Sequence, residues 1–147
     1  MSTHVRILLE SKGAKVETIP ASASVADAAD RLAARRIGAL VVSDDGQAVQ
    51  GILSERDIIH HLSLQGAACL DLTVDAIMTR EVVTCTPDDT TDDMMRIMTE
   101  KRFRHIPVVV DGALSGIVSI GDVVKARMNE LETATASLEE YVTGSGY

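Results

Sequence analysis

The chain repeats itself. Ser24-Val25-x-x-Ala28-Ala29-x-x-Leu32 recurs 66 residues later as Thr90-Thr91-x-x-Met94-Met95-x-x-Met98. Gly51-Ile52-Leu53-Ser54-x-x-Asp57 recurs 65 residues later as Gly116-Ile117-Val118-Ser119-x-x-Asp122. The one-residue slip falls where residues 46–50 outnumber their counterparts, 112–115, and length changes of this kind belong to surface turns. A repeat constrains the fold more than any other feature, because one supersecondary unit is used twice and each copy must help to cover the other. With 147 residues the chain has the size of one ordinary domain, too small for two comfortable independent cores.

Each copy reads the same way locally. Thr18-Ile19-Pro20 and Thr84-Cys85-Thr86-Pro87 are extended entries, since proline disfavours helix at the residue before it. Ser24 with Asp27, and Thr90 with Asp93, have capping-box spacing, and each pair opens a stretch with helical apolar periodicity. The β-branched runs 39–42 and 106–110 predict buried strands. Asp45-Gly46 and Asp111-Gly112 predict hairpin turns, followed by strands at 51–53 and 116–118 and by helices opening at Ser54 and Ser119. The expected architecture is α+β: two tandem βαββα units packed about a pseudo-twofold axis. By sequence the units are 5–64 and 65–128, with residues 61–79 as the link and 129–147 as a C-terminal helix and tail. Met128, Leu131, Thr135, Leu138 and Val142 step by 3, 4, 3 and 4. That is either a heptad seam or the apolar face of a helix lying on its own domain. Gly144-Ser145-Gly146 reads as a frayed end.

Composition narrows the function. A net charge of -8 argues against nucleic acid and anionic membranes as partners. Phe103, Tyr141 and Tyr147 are the only aromatic residues, a poor supply of stacking platforms for single strands. Cys69 and Cys85 are too few for a disulfide framework or a zinc site. The adjacent pair His60-His61 does not share one helix face, which speaks against a metal site. The apolar run 5–9 is too short for a secretory signal, and no stretch approaches the ~20 apolar residues of a membrane span. These features lead to the expectation of a soluble protein in the reducing cytoplasm. The sequence carries no P-loop, nucleophile–base constellation or metal-ligand cluster, so a non-enzymatic role is expected.

Three elements occur in the same order in both halves. They are the Thr-Pro entries, the segments Arg36-Ile37-Gly38-Ala39-Leu40-Val41-Val42 and Arg102-Phe103-Arg104-His105-Ile106-Pro107-Val108, and Gly-φ-φ-Ser-x-x-Asp. Together they resemble a tandem pair of cystathionine-β-synthase (CBS) domains, a Bateman module, over about residues 5–128. The resemblance implies a regulatory module that binds adenosine-containing ligands between its units: AMP foremost, with ADP, ATP, NAD(H) and S-adenosylmethionine as alternatives, and no catalytic cofactor. It also implies a flat, disc-like homodimer and an unidentified protein partner that the module regulates. The competing reading is a ligand-free structural dimerisation module.

The resemblance assigns residues. Asp57 and Asp122 would take ribose hydroxyls, as an acceptor-only carboxylate can; the same spacing also describes a capping box. Ser54 and Ser119 open helices whose free amides suit a phosphate, and each is equally an N-cap. Arg56, Arg104 and His105 are further phosphate candidates, whereas Arg35 and Arg36 fit a solvated helix end as well. Because the counterpart of Arg56 is Gly121, the two clefts should differ in charge and affinity. Thr18, Ile19, Ile37, Gly38 and Ala39 would wall one adenine, and Thr84, Cys85, Ile106 and Pro107 the other, with Arg104 and His105 in that second cleft. Core packing explains the apolar members of these walls equally well. The first half lacks the proline that the second has at Pro107, which leaves its wall geometry open.

Overall fold

The structure, a computed structural model, describes residues 2–13 and 15–145. Among the described residues, helix α1 (Val5–Lys12) is followed by β1 (Thr18–Ile19), α2 (Val25–Arg35), β2 (Ala39–Val42), β3 (Gly51–Ser54) and α3 (Glu55–Gln65). A 3-10 segment, Gly66–Asp71, and the short α4 (Val74–Ile77) lead to α5 (Thr91–Lys101), β4 (His105–Val110), β5 (Ala113–Ser119) and α6 (Ile120–Ser145). β2 runs parallel to β1 and antiparallel to β3. In the second half β4 and β5 pair antiparallel, and the place of β1 is taken by a single parallel bridge from Cys85 to Val108. The strand–helix–strand–strand–helix order therefore occurs twice.

Local chemistry sets the boundaries. The Ser24 hydroxyl accepts from Asp27 N–H to open α2, and Thr90 and Asp93 form a complete capping box on α5, with the Asp93 carboxyl held below its usual range chiefly by Thr90 N–H. Both helices end on an arginine in the left-handed conformation, Arg36 at φ 54° and Arg102 at φ 59°, where glycine is the unstrained choice. The β4–β5 hairpin closes tightly on Asp111 (φ 51°) and Gly112 (φ 79°), the two positive values that a type I′ turn requires. Its counterpart differs from the expected tight turn. Val42 pairs with Gly51, and the wider loop between them is organised by Asp45, whose Oδ1 accepts from Gln47 N–H and Ala48 N–H.

The packing units do not follow the boundaries at 5–64, 65–128 and 129–147. Val5, Leu8 and Leu9 of α1 lie in the second half's core with Met94, Ile106, Val108, Val118 and Val123. Val74 and Ile77 of α4 lie in the first half's core with Ile19, Val25, Leu40, Leu53 and Ile58. Each lead-in helix thus crosses to the other repeat, because the apolar side of each small sheet needs more cover than its own two helices supply. Backbone bonds repeat the exchange: Val5 N–H donates to Asp89 O and Thr91 N–H to Thr3 O, while Val74 N–H donates to Ala23 O and Val25 N–H to Leu72 O. The motif glycines mark where the lead-ins cross. A Cβ on Gly51 would stand 2.6 Å from Met78 Sδ, and one on Gly116 2.7 Å from Leu9 Cδ2. At the other boundary α6 runs unbroken from Ile120 through residue 129 to Ser145. The expected fraying at 144–146 falls partly outside the described residues.

Candidate functional site

Where the two halves meet, a cavity of about 200 Å³ is lined by Ser54, Arg56 and Asp57 of the first half and by Arg102, Phe103, Arg104 and His105 of the second, with Gly38, Ala39, Ile52, Glu55 and Thr79 completing the wall. Larger open grooves, of about 550 Å³ between α2 and α3 and about 500 Å³ between α1 and α6, lie elsewhere. The smaller cavity gathers arginines from both repeats.

Ser54 caps α3, and the box is complete. Asp57 Oδ2 accepts from Ser54 N–H at 2.8 Å and from Ser54 Oγ at 3.1 Å, while Asp57 N–H donates to Ser54 Oγ at 3.3 Å. The other carboxylate oxygen, Oδ1, has Thr79 Oγ1 at 3.5 Å, a distance at the outer limit for an O–H···O bond. Thr79 arrives there because it bridges Ile52 of β3. The capping geometry thus uses one carboxylate oxygen and leaves the other for a donor of better geometry. The amides of the helix start are also used: Glu55 N–H donates to Gly38 O at 3.0 Å, besides the bonds of Ser54 and Asp57. The amides of Ser54, Glu55 and Asp57, expected to stand ready for a phosphate, are thus bonded within the chain.

The second motif is built alike and then diverges. Ser119 N–H donates to Asp122 Oδ2 at 2.8 Å, Asp122 N–H to Ser119 Oγ at 3.2 Å, and Ile120 N–H to Arg104 O at 2.8 Å. Here Lys12 of α1 also reaches in, donating to Asp122 Oδ2 at 2.5 Å and to Ile117 O at 2.9 Å. Burial pushes the Asp122 carboxyl up, but the bonds from Lys12 and Ser119 outweigh it and hold the group below its ordinary range. The lysine came from outside the motif, so the repeat gave no sign of it.

Arg104 and His105 do not occupy a cleft apart from Gly38 and Ala39. The starts of β2 and β4 adjoin across the pseudo-axis, so all four line one cavity. A Cβ on Gly38 would stand 3.2 Å from His105 Cε1, and the small residue is needed to seat that ring. Burial lowers the pKa of His105, and Lys12 and Arg104 add to the effect against Asp122 and Glu55. The remaining wall candidates lie elsewhere. Ile19 and Ile106 are fully buried in the two cores, and Ile37 lines the α2–α3 groove. Pro107 is buried in β4, where its carbonyl accepts from Cys85 N–H. Thr18 is partly buried in β1 and Thr84 is exposed. Cys85 sits in the second core, its thiol pushed up to about 12 by burial and by Asp89, a state without thiolate reactivity. Sequence reasoning passed over Glu55 and Thr79, and it placed Ile52, Arg102 and Phe103 in motifs without assigning them to the cavity.

The CBS domain family model matches residues 11–64 and 74–129. A CBS-domain containing protein of Agrobacterium tumefaciens, solved by crystallography, is 51% identical, with a TM-score of 0.82 over 85% of this chain and 99% of that one. The CBS domain pair of protein MJ0100, crystallised in complex with 5′-methylthioadenosine and S-adenosyl-L-methionine, is 26% identical, with a TM-score of 0.78 over 88% of this chain and 99% of that one. The mitochondrial CBS domain-containing protein CBSX3 of Arabidopsis thaliana is 36% identical across 99% of this chain and 74% of its own length. With the same unit matched twice, in the order and positions of its internal repeat, the chain belongs to the CBS-domain family and is a tandem CBS pair.

Proposed function

We propose that this CBS pair is a regulatory module, without catalytic activity, that binds a phosphate-bearing adenosine nucleotide in the cavity beside Asp57. The observation that carries the reading is the meeting of Arg56, Arg102, Arg104 and His105 with Ser54 and Asp57 in one cavity drawn from both halves, within a chain of net charge -8. Guanidinium groups match phosphate geometry. Asp57 Oδ1 accepts a ribose hydroxyl, and Phe103 offers a ring face to adenine. The complex of the MJ0100 pair supports an adenosine-type ligand. The cationic wall favours AMP, ADP, ATP or NAD(H) over S-adenosylmethionine, whose sulfonium adds positive charge. AMP is the first choice. Because the cavity spans both halves, a ligand that prefers one relative pose of the halves shifts the module toward it, and a homodimer presents that change to a protein partner in the cytoplasm.

Thermal unfolding against AMP, ADP, ATP, NAD, NADH and S-adenosylmethionine tests the reading. A ligand at 100 times its dissociation constant adds about 2.7 kcal/mol of stability. Stabilisation by the phosphate-bearing members supports the proposal and names the ligand. If none of them stabilises protein verified as nucleotide-free, the structural dimerisation reading replaces it. That second reading draws on the two capping boxes, which satisfy part of each aspartate without any ligand.

A further inference from the structure

Helix α6 is 26 residues long, about 39 Å at the α-helical rise, and only its first part has cover. Val123, Ala126 and Glu130 are buried. Glu130 is held in place by its Oε1, which accepts from Thr3 N–H at 2.8 Å and from Thr91 Oγ1 at 2.9 Å. From Leu131 to Thr143 every residue is exposed. A helical stretch of that length standing alone in water is marginal, and this one carries large apolar side chains. Ile120, Val124, Met128, Leu131, Leu138 and Val142 are between 45% and 63% exposed. From Val124 onward, with Thr135 included, they are spaced by 4, 3, 4, 3 and 4 residues. The seam therefore runs without interruption from the supported half of the helix onto the protruding half, and it reads the same from either end about Thr133.

Charge along α6 selects what covers it. Lys125 and Arg127 lie in the supported half, whereas Glu132, Glu139 and Glu140 lie in the protruding half, which has no basic residue. A second copy laid parallel would set Glu139 and Glu140 beside their own equivalents. A second copy laid antiparallel about Thr133 pairs Val124 with Val142, Met128 with Leu138 and Leu131 with Thr135. It also sets Lys125 at the flank next to Glu139 of the other copy, once at each end. Opposite charges at such flanking positions set helix orientation. We infer that α6 is a self-association surface, on which the protruding half from one copy covers the exposed Val124 and Met128 of another in antiparallel register. This surface is separate from the nucleotide cavity and does not depend on it.

Cysteine placement tests the register, since Cys69 and Cys85 are both buried and leave the surface free of competing thiols. With a short bis-maleimide, Val124→Cys/Val142→Cys is expected to give a covalent dimer. Val142→Cys alone is expected to give none, because its two copies would lie about 27 Å apart. Lys125→Glu is expected to weaken the dimer several-fold in sedimentation, and Lys125→Glu/Glu139→Lys to restore it. Cross-linking of Val142→Cys alone would overturn the antiparallel arrangement. A dimer as tight in Leu138→Glu as in the unaltered chain would overturn the surface itself.

Discussion

Asp57 and Asp122 occupy equivalent positions in the two repeats, yet their surroundings make them unequal. Among the described residues, Oδ1 of Asp57 has a 3.5 Å contact with Thr79, while Asp122 is ion-paired to Lys12. Asp57→Ala is therefore expected to weaken nucleotide binding about ten- to a hundredfold, ~1.4–2.8 kcal/mol, and Asp122→Ala to change it less than twofold, both read by calorimetric titration. Equal losses in the two variants would mean that Lys12 yields readily to ligand. His105 adds a pH dependence. Its pKa is lowered in the folded chain by burial and by Lys12 and Arg104, so the folded state resists protonation that the unfolded state accepts. Stability is then full above the ordinary histidine pKa of about 6.5 and declines as pH falls below it; His105→Gln should flatten that slope in urea titrations. A phosphate placed beside the ring raises its pKa, so nucleotide affinity should rise toward pH 6 with net proton uptake. The Ser-x-x-Asp spacing made both aspartates legible from the sequence. It could not reveal Lys12, which enters from a helix 110 residues away, nor that Glu55 faces the same ring as Arg104.

At the level of elements, the strands and helices of the repeated βαββα order followed from short-range chemistry: capping spacing at Ser24 and Thr90, proline entries, and the Asp111-Gly112 turn. What escaped was the crossing of the lead-in helices, since an apolar face such as Val5, Leu8 and Leu9 does not say which sheet it covers. The motif glycines record that crossing. At Gly51 an added methyl would meet Met78 Sδ at 2.6 Å and the Thr79 carbonyl oxygen at 2.9 Å, whereas at Gly116 its three nearest atoms all belong to the Leu9 side chain, the closest being Cδ2 at 2.7 Å. A flexible tip moves aside and a backbone carbonyl does not. Gly51→Ala is thus expected to destabilise by about 1–3 kcal/mol and Gly116→Ala by distinctly less, as measured by chemical denaturation. Gly51→Ala should also weaken nucleotide binding, because the displaced segment carries Thr79.

For the whole molecule, exchange of α1 and α4 ties each core to residues from the other repeat. Neither half is complete alone, so unfolding is expected to be a single cooperative transition. Leu9→Ala should cost about 2–5 kcal/mol and shift probes placed in either half together. Two separated transitions would show that the cores are independent. The overall pairing of the repeats was visible in the sequence because it rests on self-similarity. The location of the cavity was not, since Arg104 and His105 had to be brought beside Gly38 by the packing of one repeat on the other.

The crossing of α1 also has a consequence on the ribosome. Val5, Leu8 and Leu9 emerge first, but the groups that bury them, from Met94 to Val123, emerge about 85 to 118 residues later. At synthesis rates of about 5–20 residues per second, that leaves an apolar N-terminal segment bare for roughly 5–20 seconds, long enough to engage a chaperone. The first repeat waits less, because α4 is made directly after it.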